Sequence, residues 1–261
     1  MNYFALSGLI NLIAAVAGIL IITIKNKNWQ KENKFFIGLC LAVMIWSFGY
    51  LNWQMADEYI SALFWIRILS IGSTLIPILY LHFILNLVLE VKKEEKAKIL
   101  KLGYGFSLLF LLFAFSPLFI KEVKAADQFP FWPQPGYLYH FYLIFSYLGL
   151  VGYGLIKLFK DYRYLTSEPD YLKSLPRITQ AKLIILATFI GFGGGAANFF
   201  LFYNIPIAPY TNILAGLGLL LMAWAIRKYS YFYIPFESGF DKVRRMYRQP
   251  YGYQIENFKT A

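Results

Sequence analysis

Residues 62–89, ALFWIRILSIGSTLIPILYLHFILNLVL, form an apolar run in which Arg67 is the only charged residue. About 20 apolar residues are enough for a helix to cross about 30 Å of hydrocarbon. A segment in lipid must satisfy its backbone polar groups internally, so this run is predicted to form a transmembrane helix. Pro77 lies near the middle and predicts a kink, and kinking or tilt accommodates the excess length.

Six more apolar runs flank this one, and the composition agrees with a membrane protein. The chain is 59% hydrophobic and 15% charged, whereas soluble domains carry about 25% charged residues. We predict an all-α, integral membrane seven-helix bundle within residues 1–236. The predicted spans are 3–24, 35–53, 62–89, 99–120, 138–159, 183–203 and 209–227. The first lacks a basic n-region and a cleavage site, which indicates a membrane helix and not a signal peptide.

The basic residues predict the topology of this bundle. Of the 25 Lys and Arg residues, 22 lie in four segments on one side of the predicted membrane, and Lys121 and Lys124 lie on the other. The positive-inside rule places the basic side in the cytoplasm. We therefore predict a multi-pass protein of the inner (cytoplasmic) membrane, with its N-terminus outside and its C-terminus cytoplasmic. Because the basic residues are spread over separate loops, the net charge of +11 does not indicate nucleic-acid binding.

Sequence signatures of catalysis and cofactor binding are missing. Cys40 is the single cysteine, and His82 and His140 lie in different segments, so neither an intrachain disulfide nor a metal site is expected. No carboxylate falls within a predicted hydrocarbon core. The phosphate-loop, zinc-protease and nucleophile-elbow motifs do not occur. We expect no enzyme activity, no metal and no cofactor.

Four polar residues of the third span share one face of the predicted helix. They are Arg67, Thr74, His82 and Asn86. A polar face of this kind packs against protein, and the four are candidate ligand-binding residues. Two simpler explanations remain open. Arg67 snorkels to the interface or pairs with Asp57 or Glu58, and His82 only hydrogen-bonds between helices.

The sixth span contains a glycine-rich stretch beside a further candidate ligand residue, Asn198. Gly191 and Gly195 form a small-xxx-small pair, which permits close helix approach and also softens the helix. Close packing and a hinge beside Asn198 are both consistent with this pattern. The first span has its own stripe of small residues, which we interpret as a packing face: Ser7, Asn11, Ala14 and Gly18.

Residues 121–137 form the longest predicted external loop. Three prolines stiffen it, and its aromatic residues include Trp132, another candidate ligand residue. The loop is either a lid over a pocket or a segment lying in the headgroup layer.

The C-terminal residues 237–261 are predicted to form a basic amphipathic cytoplasmic tail that starts after the last helix ends at Pro235. Its basic residues include Lys242, Arg244, Arg245 and Arg248. Helices of this kind lie on anionic lipid. The alternative is that the tail docks onto a signalling partner, and we consider Pro235 and these basic residues candidates for signal coupling.

Three motifs follow one another along the chain. Residues 64–85, FWIRILSIGSTLIPILYLHFIL, start with Trp-x-Arg, contain a proline and end near His-Phe. Residues 189–214, FIGFGGGAANFFLFYNIPIAPYTNIL, contain Gly-Gly-x-x-x-Asn-Phe, a short turn and a Pro-aromatic restart. Residues 223–236, AWAIRKYSYFYIPF, pass from Ala-Ile-x-x-Tyr to a proline. Together these stretches resemble the seven-helix N-terminal membrane region of many bacterial histidine kinases and diguanylate cyclases, over roughly residues 3–236.

The resemblance implies a sensory input module that passes a signal through its last helix to a cytoplasmic output domain. Residues 237–261 contain no histidine box, ATP-binding glycine motif or GGDEF sequence, so we expect the module either to act through a separate cytoplasmic signalling partner protein or to be a stand-alone receptor. The stimulus is expected to be a small ligand or a lipid, and a homodimer is left open. The alternative functions are a small-solute transporter or channel, and a ligand-free membrane scaffold.

Overall fold

The computed structural model describes residues 1–24, 30–88, 91–167 and 171–229, except for the side chains of 171–173. The predicted tail at 237–261 lies outside the described residues. So do its signal-coupling candidates, namely Pro235, Lys242, Arg244, Arg245 and Arg248.

The described chain folds into helices joined by short connections and one hairpin. The helices are α1 (Tyr3–Thr23), α2 (Lys31–Gln54), α3 (Tyr59–Leu87), α4 (Lys93–Phe113), α5 (Tyr137–Leu143), α6 (Gly152–Ser167), α7 (Tyr171–Ala196), α8 (Asn198–Phe202) and α9 (Leu214–Tyr229). A π-helix (Ile144–Val151) joins α5 to α6, a 3₁₀ turn (Tyr210–Ile213) precedes α9, and the strands are β1 (Ile120–Ala126) and β2 (Phe129–Pro135). Within the described residues these elements form seven long helical segments, six of them long and apolar enough to cross a membrane.

Large apolar side chains cover the outside of these helices. Ile13, Leu112 and Leu148, for example, are 58%, 72% and 76% exposed. Large exposed apolar surfaces are typical of proteins that contact a membrane. Several polar side chains point inward instead, and Asn11 and Asn212 are completely buried. A bundle with an apolar exterior and a partly polar interior is what a lipid environment selects.

Four of the predicted spans correspond closely to observed helices. Spans 3–24, 35–53 and 62–89 agree with α1, α2 and α3 to within four residues at each end. The helix of the sixth predicted span is α7, which starts at Tyr171, well before the predicted residue 183. Its first three turns are polar, so a hydropathy count does not include them in the span. The helix breaks at Ala197 and ends with the short helix α8. The 3₁₀ turn and α9 cover the predicted last span.

The fourth helix is displaced at both ends from its predicted span of 99–120, since α4 comprises Lys93–Phe113. Turns follow it around Pro117, which has no backbone N–H to donate in a helix. At the other end Glu94 and Glu95 lie in the first turn, where carboxylates interact favourably with the helix dipole. Six of the seven long described segments are apolar enough to cross a membrane, and α4 is the remaining one. Its charged first turns explain why it does not qualify.

Glu95 joins α4 to α6 outside the predicted fourth span. Its Oε1 accepts hydrogen bonds from Lys157 Nζ at 2.7 Å and from the Tyr153 hydroxyl at 2.6 Å. These hydrogen bonds lower the pKa of the Glu95 carboxyl below its ordinary value, and the one from Lys157 has the larger effect. The Lys157 and Glu95 side chains are 16% and 40% exposed, so the pair contributes modestly to stability and orients α4 against α6.

The fifth segment is continuous over Tyr137–Ser167 and is longer than the predicted 138–159. Its middle, Ile144–Val151, is π-helical. A π-helix bonds residue i to i+5 and holds more residues per turn than an α-helix, and such stretches occur frequently at functional sites. Hydropathy carries no signal for this geometry.

The loop predicted between the fourth and fifth spans contains two strands, which the all-α prediction missed. β1 and β2 pair antiparallel around a turn in which Asp127 has a φ of 50°. Trp132 of β2 is fully buried and packs on Trp53 of α2, with 4.7 Å between ring centroids. Trp53 Nε1 also donates to the Phe131 carbonyl oxygen at 2.7 Å. The hairpin therefore covers one end of the bundle, called the hairpin end below.

Two glycines control how closely the last helices approach. A Cβ added to Gly218 of α9 would lie 2.6 Å from the Gly191 Cα and from the Ala187 carbonyl oxygen of α7. A Cβ added to Gly195 would meet no atom within 4 Å. The close-packing explanation of the small-xxx-small pair is therefore confirmed for Gly191 and wrong for Gly195, and the partner of Gly191 lies on the neighbouring helix.

Candidate ligand-binding site

A cavity of about 100 Å³ extends from the hairpin end into the middle of the bundle. It is bounded by α2, α3, α5, α7, α8, α9, the π-helix and the hairpin. Its aromatic lining residues are Trp46, Tyr50, Trp53, Tyr139, Tyr147, Phe192, Phe199 and Phe202. None of the described residues that line it is charged. On α2 the lining runs from Leu39 to Trp53, about 21 Å along the helix axis at 1.5 Å per residue, so the cavity is narrow and elongated.

Two buried polar atoms on the cavity lining have no hydrogen-bond partner. They are the Tyr50 hydroxyl and Asn198 Oδ1. The two residues are 1% and 7% exposed. A buried polar group left unpaired costs about 1–3 kcal/mol, and most such groups in proteins are paired. A polar ligand in the cavity would make hydrogen bonds that the protein itself leaves unmade.

A chain of hydrogen bonds determines how the Asn198 amide is oriented. Ser7 Oγ donates to the Phe4 carbonyl oxygen at 2.7 Å, so it accepts from Asn212 Nδ2 at 2.9 Å. Asn212 therefore turns its Oδ1 toward Asn198, whose Nδ2 donates to it at 2.8 Å and to the Gly195 carbonyl at 2.9 Å. Both amide hydrogens of Asn198 are then in use, and its free oxygen can only accept.

Asn11 extends the same polar network from α1 to α9. Its Nδ2 donates to the Asn212 carbonyl oxygen at 3.0 Å, and its Oδ1 accepts from the Gly216 backbone N–H at 2.8 Å. The stripe on the first helix is thus a packing face, as predicted, and also a hydrogen-bonding face. It fixes the start of α9 beside the cavity.

Pro77 creates a polar site in the wall formed by α3. A proline has no N–H, so the carbonyl of residue i−4, here Ser73, loses its helical partner. The hydroxyl of Tyr142, a fully buried residue, donates to that oxygen at 2.7 Å. Ser73 also lines the cavity. The interruption predicted from Pro77 is therefore closed by a side chain from the fifth segment.

The π-helix presents Tyr147 to the cavity. The Tyr147 ring packs on Phe192 of α7 and Phe199 of α8, with ring centroids 6.0 and 5.0 Å apart. These edge-to-face pairs are favourable for aromatic rings. The widened helix thus contacts the same two helices that carry the glycines and Asn198.

Arg67 and Thr74 lie outside the cavity lining, although their neighbours Ile66 and Ser70 belong to it. Thr74 is fully buried and its Oγ1 donates to the Ser70 carbonyl oxygen at 2.7 Å. Arg67 Nε is buried without a hydrogen-bond partner. Within the described residues no ion pair joins Arg67 to Asp57 or Glu58.

His82 and Asn86 form a separate cluster toward the opposite end of the bundle. His82 Nδ1 lies 2.8 Å from the Tyr104 hydroxyl, and its ring stacks on Phe35. Asn86 donates to the His82 carbonyl oxygen and accepts from Lys96 Nζ, both at 2.7 Å. The four polar residues predicted on one face of the third span do lie at helical spacing along α3, but their side chains do not meet at one pocket.

Of the six candidate ligand residues, the structure places only Asn198 on the cavity lining, with Trp132 directly behind Trp53. Sequence reasoning missed Tyr50, whose hydroxyl looks no different from those of the many other tyrosines. It also missed Asn212, for which a signal existed, because a polar amide inside an apolar span is a candidate functional residue by default.

Comparison with known proteins gives one result that covers nearly the whole bundle. Residues 9–235 match the family described as the N-terminal 7TM region of histidine kinase. A search of curated proteins found no significant match. The matched range contains the entire cavity lining, both partnerless polar atoms and the hydrogen bonds of Asn11 to Asn212 and Gly216. The chain therefore belongs to the family of N-terminal seven-transmembrane regions of histidine kinases.

Proposed function

We propose that this chain is a membrane sensor module in which occupation of the cavity changes the position of α9, and α9 passes that change to a cytoplasmic partner. The observation that supports this proposal is that the helix that lines the cavity also runs on toward the opposite end of the bundle. α9 lines the cavity through Gly218, Leu219 and Met222 and then continues without a break to Tyr229. The distance from Met222 to Tyr229 is about 10 Å along the helix axis.

The contacts of α9 favour movement as a unit. Gly218 lies against α7 with no side chain between the backbones, and Gly216 is held by Asn11 of α1. Packed interfaces tend to switch between discrete arrangements and do not deform continuously. A molecule that pushes α9 and α7 apart at the cavity would therefore shift the far end of α9 as well.

The topology predicted from the basic residues would place the far end of α9 in the cytoplasm of a cell whose inner membrane holds the bundle. Residues 237–261 would then lie on anionic lipid or contact the partner protein. We propose no catalytic activity for the chain itself. Its family supplies the input part of a kinase, and signal output is assigned to the partner.

A chimera tests this proposal. Residues 1–236 would replace the membrane region of a histidine kinase that has a transcriptional reporter. Gly218→Ala adds a Cβ that would lie 2.6 Å from the Gly191 Cα, and it is expected to change the basal reporter output. The matched control is Gly193→Ala, because Gly193 is exposed and a Cβ there meets no atom within 4 Å.

The proposal fails if both chimeras give the output of the unsubstituted one while their folding is intact. A transporter would instead be identified by solute flux in proteoliposomes that Asn198→Ala abolishes. A scaffold would show changes in thermal stability without any change in reporter output.

A further inference from the structure

We infer that the cavity binds a small, neutral, unbranched apolar molecule whose hydroxyl group donates a hydrogen bond to Asn198 Oδ1, with the Tyr50 hydroxyl as a second polar contact. This inference adds a class of ligand to the proposed sensor function. It rests on that function only for the effect of binding on signalling. The binding itself can be measured on the purified chain without any signalling output.

The lining requires a neutral ligand. Residues from six helices, the π-helix and the hairpin surround the cavity, and none of the described ones is charged. Moving an ion into such surroundings is very unfavourable unless an opposite charge pairs with it. A fatty acid anion or an organic cation therefore fits poorly, whereas an uncharged molecule loses little on entry.

The Asn198 amide requires a donor. Its Nδ2 is committed to Asn212 Oδ1 and to the Gly195 carbonyl. The remaining oxygen is partnerless. A ligand that only accepts hydrogen bonds, such as an ether, would leave it unpaired. The Tyr50 hydroxyl can donate or accept, so it is compatible with a ligand hydroxyl that donates to Asn198.

The dimensions require a slender molecule. A cavity of about 150 Å³ lined by apolar side chains is known to hold benzene, and this one has about 100 Å³. Its lining nevertheless spreads over about 21 Å of α2. A flexible alkyl chain follows a narrow path of that kind, whereas a fused ring system does not. Water is the competing occupant. A cavity that holds only water would show no preference among organic ligands.

The test uses two isomers, 1-hexanol and 1-methoxypentane, which have the same atoms but differ in the hydroxyl donor. Binding to the purified full chain in detergent is followed through the fluorescence of Trp46 and Trp53, which line the cavity. One net hydrogen bond predicts that 1-hexanol binds roughly 2- to 10-fold more tightly than the ether. Tyr50→Phe removes a partnerless hydroxyl that can donate to the oxygen of either isomer, so it should weaken both and keep the preference for 1-hexanol. Asn198→Ala removes the acceptor and should bring the two dissociation constants together.

A pair of glycine variants tests the location. Gly195 lines the cavity and a Cβ there meets nothing within 4 Å, so Gly195→Leu should fill the space without disturbing the fold. The matched control Gly193→Leu lies on the same helix outside the cavity lining. Gly195→Leu is expected to abolish 1-hexanol binding, and Gly193→Leu to leave it unchanged.

Equal affinity of both isomers for the unsubstituted chain would overturn the hydroxyl assignment, and so would the absence of any binding. Unchanged binding in Gly195→Leu would overturn the location. If binding behaves as expected but 1-hexanol leaves the output of the chimera unchanged, the ligand site stands and the sensor function fails.

Discussion

Replacing Tyr142 by phenylalanine should destabilise the bundle through a single backbone carbonyl. The Tyr142 hydroxyl donates at 2.7 Å to the Ser73 oxygen that Pro77 leaves without a helical partner. The Tyr142 side chain is fully buried, so phenylalanine leaves the carbonyl without the donor that the fold provides. An unsatisfied buried acceptor costs about 1–3 kcal/mol. For a chain of this size, about 2–4 °C per kcal/mol gives a fall in Tm of roughly 2–12 °C.

A double-mutant cycle separates this cause from a general loss of packing. In Pro77→Ala the new N–H can donate to the Ser73 carbonyl, so Tyr142→Phe should cost much less in that background than in the native one. The measurement is thermal unfolding of the four proteins in one detergent. Tyr50→Phe is the matched control, because its hydroxyl is equally buried but has no partner, and it should leave Tm unchanged or raise it. Equal effects of Tyr142→Phe in both backgrounds would refute the explanation.

Two further predictions concern the ends of the bundle. Trp132→Ala removes a fully buried side chain and should cost about 3–5 kcal/mol. Limited proteolysis should then cleave within residues 120–135, and unaltered protection would contradict the packing role of Trp132. The pKa of Glu95 is lowered by Lys157 and Tyr153, so its contribution to stability is present above the unfolded pKa and is lost as the pH falls through the folded one. Tm should drop below about pH 4, and Glu95→Gln should reduce that drop, whereas Glu94→Gln should not.

Most of the helices were predictable because apolar length is a strong signal in a membrane protein. The third span was identified almost to its ends, since both sides are bounded by charged or polar residues. The start of α4 was misplaced for the opposite reason. Its first turns are helical and charged at once, and a hydropathy window cannot distinguish such a helix from a loop.

The hairpin was not predicted because its prolines argue against a strand. Pro130, Pro133 and Pro135 all lie in β2, which has a single neighbouring strand and so tolerates missing N–H groups on its outer edge. The burial of Trp132 depends on Trp53, which is distant in sequence. No local pattern contains that contact.

The candidate site was only partly predictable. Asn198 was identified from an amide within an apolar span, and the same argument would have found Asn212. Tyr50 becomes notable only when its surroundings show that its hydroxyl has no partner. The residues of the polar face on the third span were chosen by spacing alone, and spacing does not tell which neighbouring helix each one meets.

The π-helix in the fifth segment has a consequence for insertions and deletions. The π-helix changes the rotation between the two halves of the continuous helix Tyr137–Ser167. The half at the hairpin end and the opposite half therefore face directions that an α-helix of the same sequence could not combine. A π-helix holds more residues per turn than an α-helix, so removing a single residue between 144 and 151 would let the segment become α-helical while the residues on both sides keep nearly the same faces. Lys157 would still face Glu95, and Tyr142 would keep its place against Ser73. The segment can therefore lose one residue here without giving up either set of contacts, which a regular α-helix could not do.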